Sequence, residues 1–522
     1  MSEAKEHPHV NPWIIAVAVM LGTFMEVLDT TVVNVALPHI AGDLASTVDE
    51  TTWVLTSYLV SNAIILPMTG WLANNFGRKR ILLMSVAGFT LSSLACGLAP
   101  NLATLIVFRV IQGATGGGLQ PLSQSIMMEA FPPEKRGKAM AFWALGIVVA
   151  PMLGPVLGGW ITDTYTWRWV FYINLPVGIL AIIMAVLFVF DPPYIKRRSE
   201  TVDYIGMGLL VVGMGALQIF LDKGQTKDWW ASEFIRVLFV TTIVGLGAFI
   251  VRELTTDHPI VDLRVFRNRT YATGVFMMTV LGFVLYGSTV LLPLWLQTLM
   301  GYPALQSGLA MLPRGMGSFI FMPIVGILMG KVEPRKLLIV GLLVAGGSLF
   351  WLGGLNLQVG YWAIFWPQIL QGMSMGLLFV PLSTISFDAV PKEKMGNATS
   401  VFNLMRNVGA SIGIASVTTI YSRSTQSNTN ILGAHVTPYN ASATRLYEGI
   451  KGALISAGSD PYTAGRQAFG AIFGMVQREA AMLGFVKCFR LLAILFFCLI
   501  PLVMIMRKPA HHDKSGEGPP VH

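Results

Sequence analysis

Long apolar segments separated by short polar turns run the length of this chain. Fourteen can be counted, from 13–37 near the amino end to 484–506 near the carboxyl end. At a rise of about 1.5 Å per residue, each can cross roughly 30 Å of hydrocarbon as a helix, the shortest only just. The pattern predicts an all-α integral membrane protein with fourteen transmembrane helices.

Composition and charge narrow the class of protein. Hydrophobic residues make up 54% of the chain and charged residues 12%, with a mean hydropathy of +0.63, whereas a soluble domain has roughly 25% charged residues. The net charge of +9 comes from short Lys and Arg clusters between the segments, which argues against nucleic acid as a partner. The three cysteines have no paired spacing, so neither a disulfide nor a metal site is expected.

The charges of the loops predict the orientation. Basic clusters such as 78–80, 135–138 and 196–198 occupy alternate connections, and the short loops between them are nearly free of Lys and Arg. Because basic loops stay in the cytoplasm, both chain ends are predicted to be cytoplasmic. The first segment contains two acids and is not followed by a small-residue cleavage site, so it is predicted to be retained as helix one.

An internal repeat divides the chain. Gln112-Gly113 recurs as Gln371-Gly372 at an offset of 259, and Pro121-Leu122-Ser123 recurs at an offset of 260 as Pro381-Leu382-Ser383. Parallel repeats of this kind surround a substrate path. The predicted domains are a six-helix bundle (1–190), a linker with an inserted transmembrane hairpin (191–262), a second six-helix bundle (263–506) that carries an outer loop (422–478), and a cytoplasmic tail (507–522).

The outer loop 422–478 is long and polar for a connection between spans. Two stretches within it, 441–455 and 464–481, are predicted to be helical, which makes the loop a small structured excursion. The sequence is compatible both with a solvated surface loop and with a docking site for a partner protein.

Helix one contains two acids, Glu26 and Asp29, which are spaced to share one helix face. Acids are costly inside a membrane, which favours a role as reversible proton carriers, although Asp29 could instead only cap or bond a neighbouring helix. In the fourth segment, depth arithmetic places Arg109 roughly 9 Å and Asp29 roughly 12 Å from the outer ends of their helices. Arg109 is therefore the expected counter-ion, with Gln112 one turn along on the same face. A fixed ion pair that only holds two helices together is the alternative.

Five motifs occur in a defined order. They are LDTTVVNVALP (28–38), GWLANNFGRKR (70–80), FRVIQGATGG (108–117), APMLGPVLGG (150–159) and WRWVFYINLP (167–176). Together they resemble the major facilitator superfamily, and within it the fourteen-span drug:proton antiporters of the EmrB/QacA type, over essentially the whole chain. The resemblance implies two six-helix bundles plus the inserted hairpin, and a link between Arg109 and proton transfer.

The resemblance assigns conformational roles to two of these motifs. In the loop 70–80, Gly70, Gly77, Arg78 and Arg80 are present, but the usual acid at the fifth position is Asn74, which can act only as a neutral cap. These charges could also serve orientation alone. In helix five, the resemblance implies an antiporter signature that seals against leak, with generic small-residue packing as the alternative. Its residues are Pro151, Gly154, Pro155, Gly158 and Gly159.

The resemblance implies a bacterial inner-membrane exporter of hydrophobic or cationic drugs, driven by the proton gradient, with no cofactor and no enzyme activity. It also implies a periplasmic adaptor and an outer-membrane channel as partners. A dedicated exporter of one metabolite, fatty acid or siderophore and a non-transporting receptor are the alternatives. Candidate cavity residues, chosen because Met and aromatic surfaces adapt to varied ligands, are Met25, Trp143, Tyr286, Trp295, Arg314 and Arg406.

Overall fold

The computed structural model describes residues 11–191 and 203–505. The predictions for the two chain ends, for the tail 507–522 and for the basic cluster 196–198 lie outside the described residues. Every regular element within the described ranges is helical.

The N-terminal half is built around α1 (Pro12–Asp43). This helix packs against α6 (Leu119–Ala130), α7 (Arg136–Thr164) and α9 (Asn174–Phe188). The fourth predicted segment forms two helices, because the chain breaks at Gly117 and Gly118. The helices of this half are α1 (Pro12–Asp43), α2 (Val48–Thr51), α3 (Trp53–Phe76), α4 (Arg78–Gly97), α5 (Leu102–Gly116), α6 (Leu119–Ala130), α7 (Arg136–Thr164), α8 (Trp169–Tyr172) and α9 (Asn174–Phe188).

The rest of the described chain forms a hairpin and a second half. The hairpin is α10 (Tyr204–Lys223) and α11 (Glu233–Thr255). The second half consists of α12 (Arg269–Thr298), α13 (Ala304–Leu309), α14 (Leu312–Leu328), α15 (Pro334–Leu352), α16 (Tyr361–Asp388), α17 (Met395–Gly433), α18 (Ala441–Ser456) and α19 (Pro461–Ile505).

The repeat is visible in local structure. The turns Pro133–Lys135 and Lys392–Lys394 are both single-turn 3-10 helices, 259 positions apart, and each leads directly into a long helix, α7 or α17. The halves meet where α7 packs on α14 and where α3 packs on α17. The hairpin contacts both halves, since Trp229 Nε1 donates to Thr419 Oγ1 at 3.0 Å and α10 packs along α3.

Thirteen helices among the described residues are long and apolar enough to cross a membrane. The predicted span 397–420 lies within α17, which is helical and long but is not one of the thirteen. The physical reason is its composition: α17 places Asn397, Asn403 and Arg406 in the interior, where it meets the N-terminal half. These polar residues keep α17 out of the set of apolar helices, and they lie at the interface between the halves.

The stretch 422–478, expected to be an outer loop, is mostly helix. Helix α17 continues to Gly433, α18 covers nearly the stretch predicted at 441–455, and the stretch 464–481 is the beginning of the 45-residue α19 rather than a separate helix. Asp460 caps α19, and hydrogen bonds from the Thr463 side chain and backbone lower the pKa of this carboxyl. Helices α17 and α19 thus extend well beyond the predicted spans, and α18 lies between them in the chain.

Candidate functional site

Asp29 lies at the centre of a buried polar network contributed by α1, α5 and α9. Its Oδ2 accepts a hydrogen bond from Arg109 Nη1 at 2.6 Å, and its Oδ1 accepts from Gln112 Nε2 at 3.1 Å and from Asn174 Nδ2 at 2.8 Å. Asp29, Arg109 and Gln112 are fully buried. Three donors on two carboxylate oxygens match the ionised form of the acid, and the adjacent guanidinium supplies its counter-charge.

The neighbours of Arg109 fix the orientation of its guanidinium. Its Nε donates to the Val54 carbonyl at 3.0 Å, its Nη1 also donates to Gln112 Oε1 at 2.7 Å, and its Cζ lies 4.2 Å from the centre of the Tyr58 ring. The Val54 carbonyl and the Tyr58 ring both belong to α3. The arginine therefore joins α1, α3 and α5 at one point.

Glu26 has a separate set of donors one turn away. Its Oε1 accepts from Asn62 Nδ2 at 3.0 Å and from Tyr58 Oη at 3.3 Å, and its Oε2 accepts from Gln120 Nε2 at 2.7 Å. Gln120 Oε1 in turn accepts a hydrogen bond from Arg406 Nη2. One amide side chain thus connects an acid of the N-terminal half to an arginine of the C-terminal half.

Tyr58 connects the two acids. Its hydroxyl donates to Glu26, and its ring faces the Arg109 guanidinium that pairs with Asp29. Tyr58 therefore contacts both Glu26 and the arginine that pairs with Asp29.

A cavity lies between the halves, next to these networks. It encloses about 710 Å³ of empty space, its open part included, which is in the size range of small-molecule sites. Tyr286, Arg314 and Arg406, three of the predicted cavity residues, line it, and so does Pro151 of the helix-five motif. The remaining lining is mainly Leu, Ile, Val, Met and Phe, contributed by α7, α12, α16 and the residue before α14.

The other three predicted cavity residues are buried outside this lining. Trp143 donates from Nε1 to Ser123 Oγ at 2.8 Å and packs against Phe379, which lines the cavity. Met25 and Trp295 are 1% exposed and belong to the core.

Residues 19–414 match the family described as Major Facilitator Superfamily. This chain belongs to that superfamily. Two relatives match nearly their whole length: the Fatty acid resistance protein FarB of Neisseria gonorrhoeae is 38% identical, covering 95% of this chain and 96% of FarB. The Multidrug export protein EmrB of Escherichia coli (strain K12) is 36% identical, covering 97% of each chain.

The fold agrees with this membership. The crystal structure of the human organic anion transporter MFSD10 (TETRAN) superposes with a TM-score of 0.61 at 13% identity, covering 95% of this chain and all of that one. At this identity the match concerns the fold alone. The chain is a multi-pass membrane protein with the major facilitator arrangement of two helical bundles.

At the end that carries the basic loops, contacts cross between the two bundles of this superfamily member. Arg136 Nη1 lies 2.7 Å from Asp388 Oδ1, and Asn403 Nδ2 donates to Gln124 Oε1 at 2.6 Å. A Cβ added to Gly70 would lie 2.7 Å from the Asn397 backbone, so α3 and α17 touch at this glycine. The bundles are closed on each other at this end.

The loop 70–80 has further contacts within the N-terminal half. Arg78 is buried and forms an ion pair with Glu129, whereas Arg80 is exposed. Gly77 has a positive φ of 92°, which favours glycine, and ends α3. Asn74 is half-buried beside Gly396 and makes no capping bond at the start of α4; there the Lys79 N–H donates to Asp191 Oδ1 at 2.8 Å. An acid from the end of α9 occupies the capping position.

The predicted helix five is α7, and the glycines of its motif (150–159) differ in their surroundings. A Cβ at Gly154 would lie 2.5 Å from Thr31 Cβ, and one at Gly158 would lie 3.0 Å from the Val32 carbonyl oxygen, so both glycines bring α7 against α1. Gly159 has nothing within 4 Å of such an atom, and Pro155 lies opposite Gly308 of α13. Only part of the motif serves close helix approach.

Sequence reasoning missed four amide and phenol side chains that contact the acids. Tyr58 and Asn62 lie one turn apart in a segment whose other polar residues are all Ser or Thr, a spacing that could have identified them. Asn174 belongs to the WRWVFYINLP motif, and Gln120 follows the glycines of the FRVIQGATGG motif. Neither position carries a signal of contact with helix one.

Proposed function

We propose that this protein exports hydrophobic drugs or other toxic organic compounds across a bacterial cytoplasmic membrane in exchange for protons. The observation that carries the proposal is the continuous path from the Asp29–Arg109 pair through Tyr58, Glu26 and Gln120 to Arg406, which lines the cavity. The multidrug export name of the EmrB relative supports the choice of substrate.

In this proposal, Asp29 and Glu26 are the proton carriers. Protonation of Asp29 removes the charge that holds Arg109 and two amide donors around it. Protonation of Glu26 weakens the acceptor that orients Gln120 and, through it, Arg406. Because Arg406 belongs to the other half, the second step acts on the contact between the bundles. The closed inner end must separate at Arg136–Asp388 and at Gly70–Asn397 for the cavity to open inward.

The cavity favours neutral and acidic compounds over cations. Among the described residues, its lining contains two guanidinium groups, Arg314 and Arg406, and no carboxylate. Arg406 Nη1 is buried and has no hydrogen-bond partner among the described residues. A dedicated exporter of fatty acids is the second candidate, favoured by these arginines and by the name of the FarB relative.

The topology and assembly follow the same proposal. The basic loops would face the cytoplasm together with both chain ends, and the helical extension of α17, α18 and α19 would face the periplasm. A periplasmic adaptor and an outer-membrane channel would complete a tripartite pump in a double-membraned bacterium.

Transport in proteoliposomes tests the function. An imposed pH gradient should drive movement of dodecanoate and of uncharged hydrophobic dyes in the wild type, and cationic dyes should move more slowly. Asp29→Asn and Glu26→Gln should each reduce this transport, whereas Asp49→Asn, an exposed acid at the outer turn, should not. Movement of dodecanoate alone would select the fatty-acid exporter. Gradient-driven transport that survives in both carboxylate variants would overturn proton exchange through these acids.

A further inference from the structure

Residues 166–173, which include most of the WRWVFYINLP motif, form a turn between α7 and α9 at the end of the bundle opposite the basic loops. The chain enters this turn from α7, which begins in the basic turn at Arg136, and leaves it through α9, which ends beside Lys79. Its position makes it the segment between the Asp29 network and the outer face.

Three residues of the turn hold it against neighbouring helix ends. Trp167 Nε1 donates to Asp43 Oδ2 at 2.8 Å, at the end of α1. Arg168 Nη1 donates to the carbonyls of Gly97 and Ala99 at 2.9 and 2.7 Å, which satisfies the last carbonyl of α4 and one just beyond its end. Phe171 is fully buried, with its ring 5.8 Å from Arg109 Cζ. The turn therefore covers the arginine that pairs with Asp29.

Asn174, the first residue of α9, joins this turn to the acid. Its Nδ2 donates to Asp29 Oδ1 at 2.8 Å and also contacts Ser93 Oγ at 3.0 Å, while Ser93 donates to the Phe171 carbonyl at 2.8 Å. Asn174 is 1% exposed, so this amide has no water to replace these partners. One side chain thus links the position of the turn to the hydrogen bonding of the carboxylate.

We infer that Asn174 is a positioning residue for proton exchange: it holds Asp29 in its ionised geometry while the turn 166–173 closes the site on the outer side. The inference rests on the proposed proton exchange at Asp29. Entry of a proton from outside would require the turn to move, and that movement would withdraw the amide from Asp29 Oδ1 and favour the protonated acid. Opening and protonation are then one coupled event.

Few other ionisable groups face Asp29 within the described residues. Arg109 comes from α5, Tyr58 from α3, and Cys96, whose Sγ lies 3.5 Å from Gln112 Oε1, from α4. Glu26 lies one turn along α1 itself. The faces that α7 and α9 turn towards Asp29 contribute no ionisable side chain to these bonds, so an Asn174 substitution changes the acid without removing a neighbouring charge.

The test is the pH profile of gradient-driven transport in proteoliposomes. Asn174→Ala removes a donor to the ionised form and should move the profile about one pH unit to higher pH. Asn174→Asp places a second carboxylate against Asp29 and should move it further in the same direction, because two adjacent acids cannot both ionise readily. Thr90→Val, which alters the α4–α9 contact at Gly178 and not the acid, should leave the profile in place.

The outcomes separate this inference from the function on which it rests. If Asp29→Asn abolishes proton-driven transport and neither Asn174 variant moves the profile, the positioning role is wrong and proton exchange stands. If Asp29→Asn still transports normally, proton exchange at Asp29 fails, and the inference fails with it. Should the alanine variant not fold, Asn174→Leu, which has nearly the shape of asparagine and no N–H donor, should give the same shift and takes its place.

Discussion

Gln112 and Gln371 lie 259 positions apart and make the same contact, each donating from Nε2 at 3.1 Å to the first long helix of its own half. The acceptor is Asp29 in the N-terminal half and Ser288 in the C-terminal half, also 259 positions apart. The repeat therefore keeps the geometry and places a carboxylate in only one of the two copies.

The arginine of the second copy also comes from a different helix than Arg109 does in the first. The equivalent of Arg109 is Gln368, and an arginine reaches the second copy from another helix: Arg314 Nε lies 3.2 Å from Gln368 Oε1, and its Nη2 donates to Gln371. Arg314 contacts amides and Thr289, and no acid lies within ion-pair distance of it among the described residues. The same helix arrangement therefore contains a charged pair in the N-terminal half and neutral groups at the equivalent positions of the C-terminal half.

The neutral copy suggests a cycle of substitutions at Asp29 and Arg109. Asp29→Ser or Arg109→Gln alone leaves an unpaired buried charge and should cost about 3–5 kcal/mol of stability. The double variant carries the residues of the C-terminal copy at both positions and should recover most of that loss. Thermal unfolding of the purified proteins measures this coupling.

Transport separates stability from function in the same variants. The double variant should be well folded and inactive in proton-driven transport, because no carboxylate remains at position 29. If its destabilisation equals the sum of the two single effects, the two charges are not energetically coupled, and the ion pair has no role in holding the helices.

Gly154 and Gly159 provide a matched pair in one helix. Gly154→Ala would push a methyl group into Thr31 and force α1 from α7, which should cost about 1–3 kcal/mol and reduce transport. Gly159→Ala enters open space and should be neutral or slightly stabilising, because alanine is the better helix former. Thermal stability and transport of the two variants check this, and equal effects would contradict close packing at Gly154.

The sequence predicts the helices and the repeat well, because hydropathy and turn motifs are local signals. Depth arithmetic along two helices also places Asp29 and Arg109 within reach, and the structure pairs them. Asn174 could not be found in this way. Its contact with Asp29 depends on how α9 is rotated against α1, which no periodicity within α9 records.

The same limit applies to interfaces between the halves. The sequence predicts a span at 397–420, yet α17 is too polar to be among the thirteen apolar helices of the described residues, because it is polar where it meets the other bundle. Likewise, sequence spacing cannot distinguish Gly154, which touches α1, from Gly159, which does not. Both distinctions depend on the rotation of a helix relative to its partner.

The Arg136–Asp388 pair crosses the closed inner end and should favour that closed state. Asp388→Asn should raise labelling of Ala141→Cys, a position buried between α7 and α14 of opposite halves, in a protein lacking the native cysteines. A partly exposed ion pair contributes about 0.5–1 kcal/mol, so the increase should be about two- to fivefold. The control is Lys394→Gln, which removes the ion pair between Lys394 Nζ and Asp262 Oδ2 (2.8 Å) on the same face. Because this pair does not join the two bundles, its loss should not change labelling. Equal labelling in all three proteins would mean that this ion pair does not stabilise the closed state.

The cavity arginines should distinguish ligands by charge. Arg406→Gln removes a buried N–H donor that has no partner among the described residues, so it should weaken binding of a naphthalene carboxylate about tenfold and leave the neutral carboxamide unchanged. Arg314→Gln should have a smaller effect on the acid, because its donors already bond to Gln368, Gln371 and Thr289. Calorimetric titration of the purified protein with each probe measures both affinities. Equal losses for the acid and the amide would mean that Arg406 shapes the cavity through Gln120 and does not recognise charge.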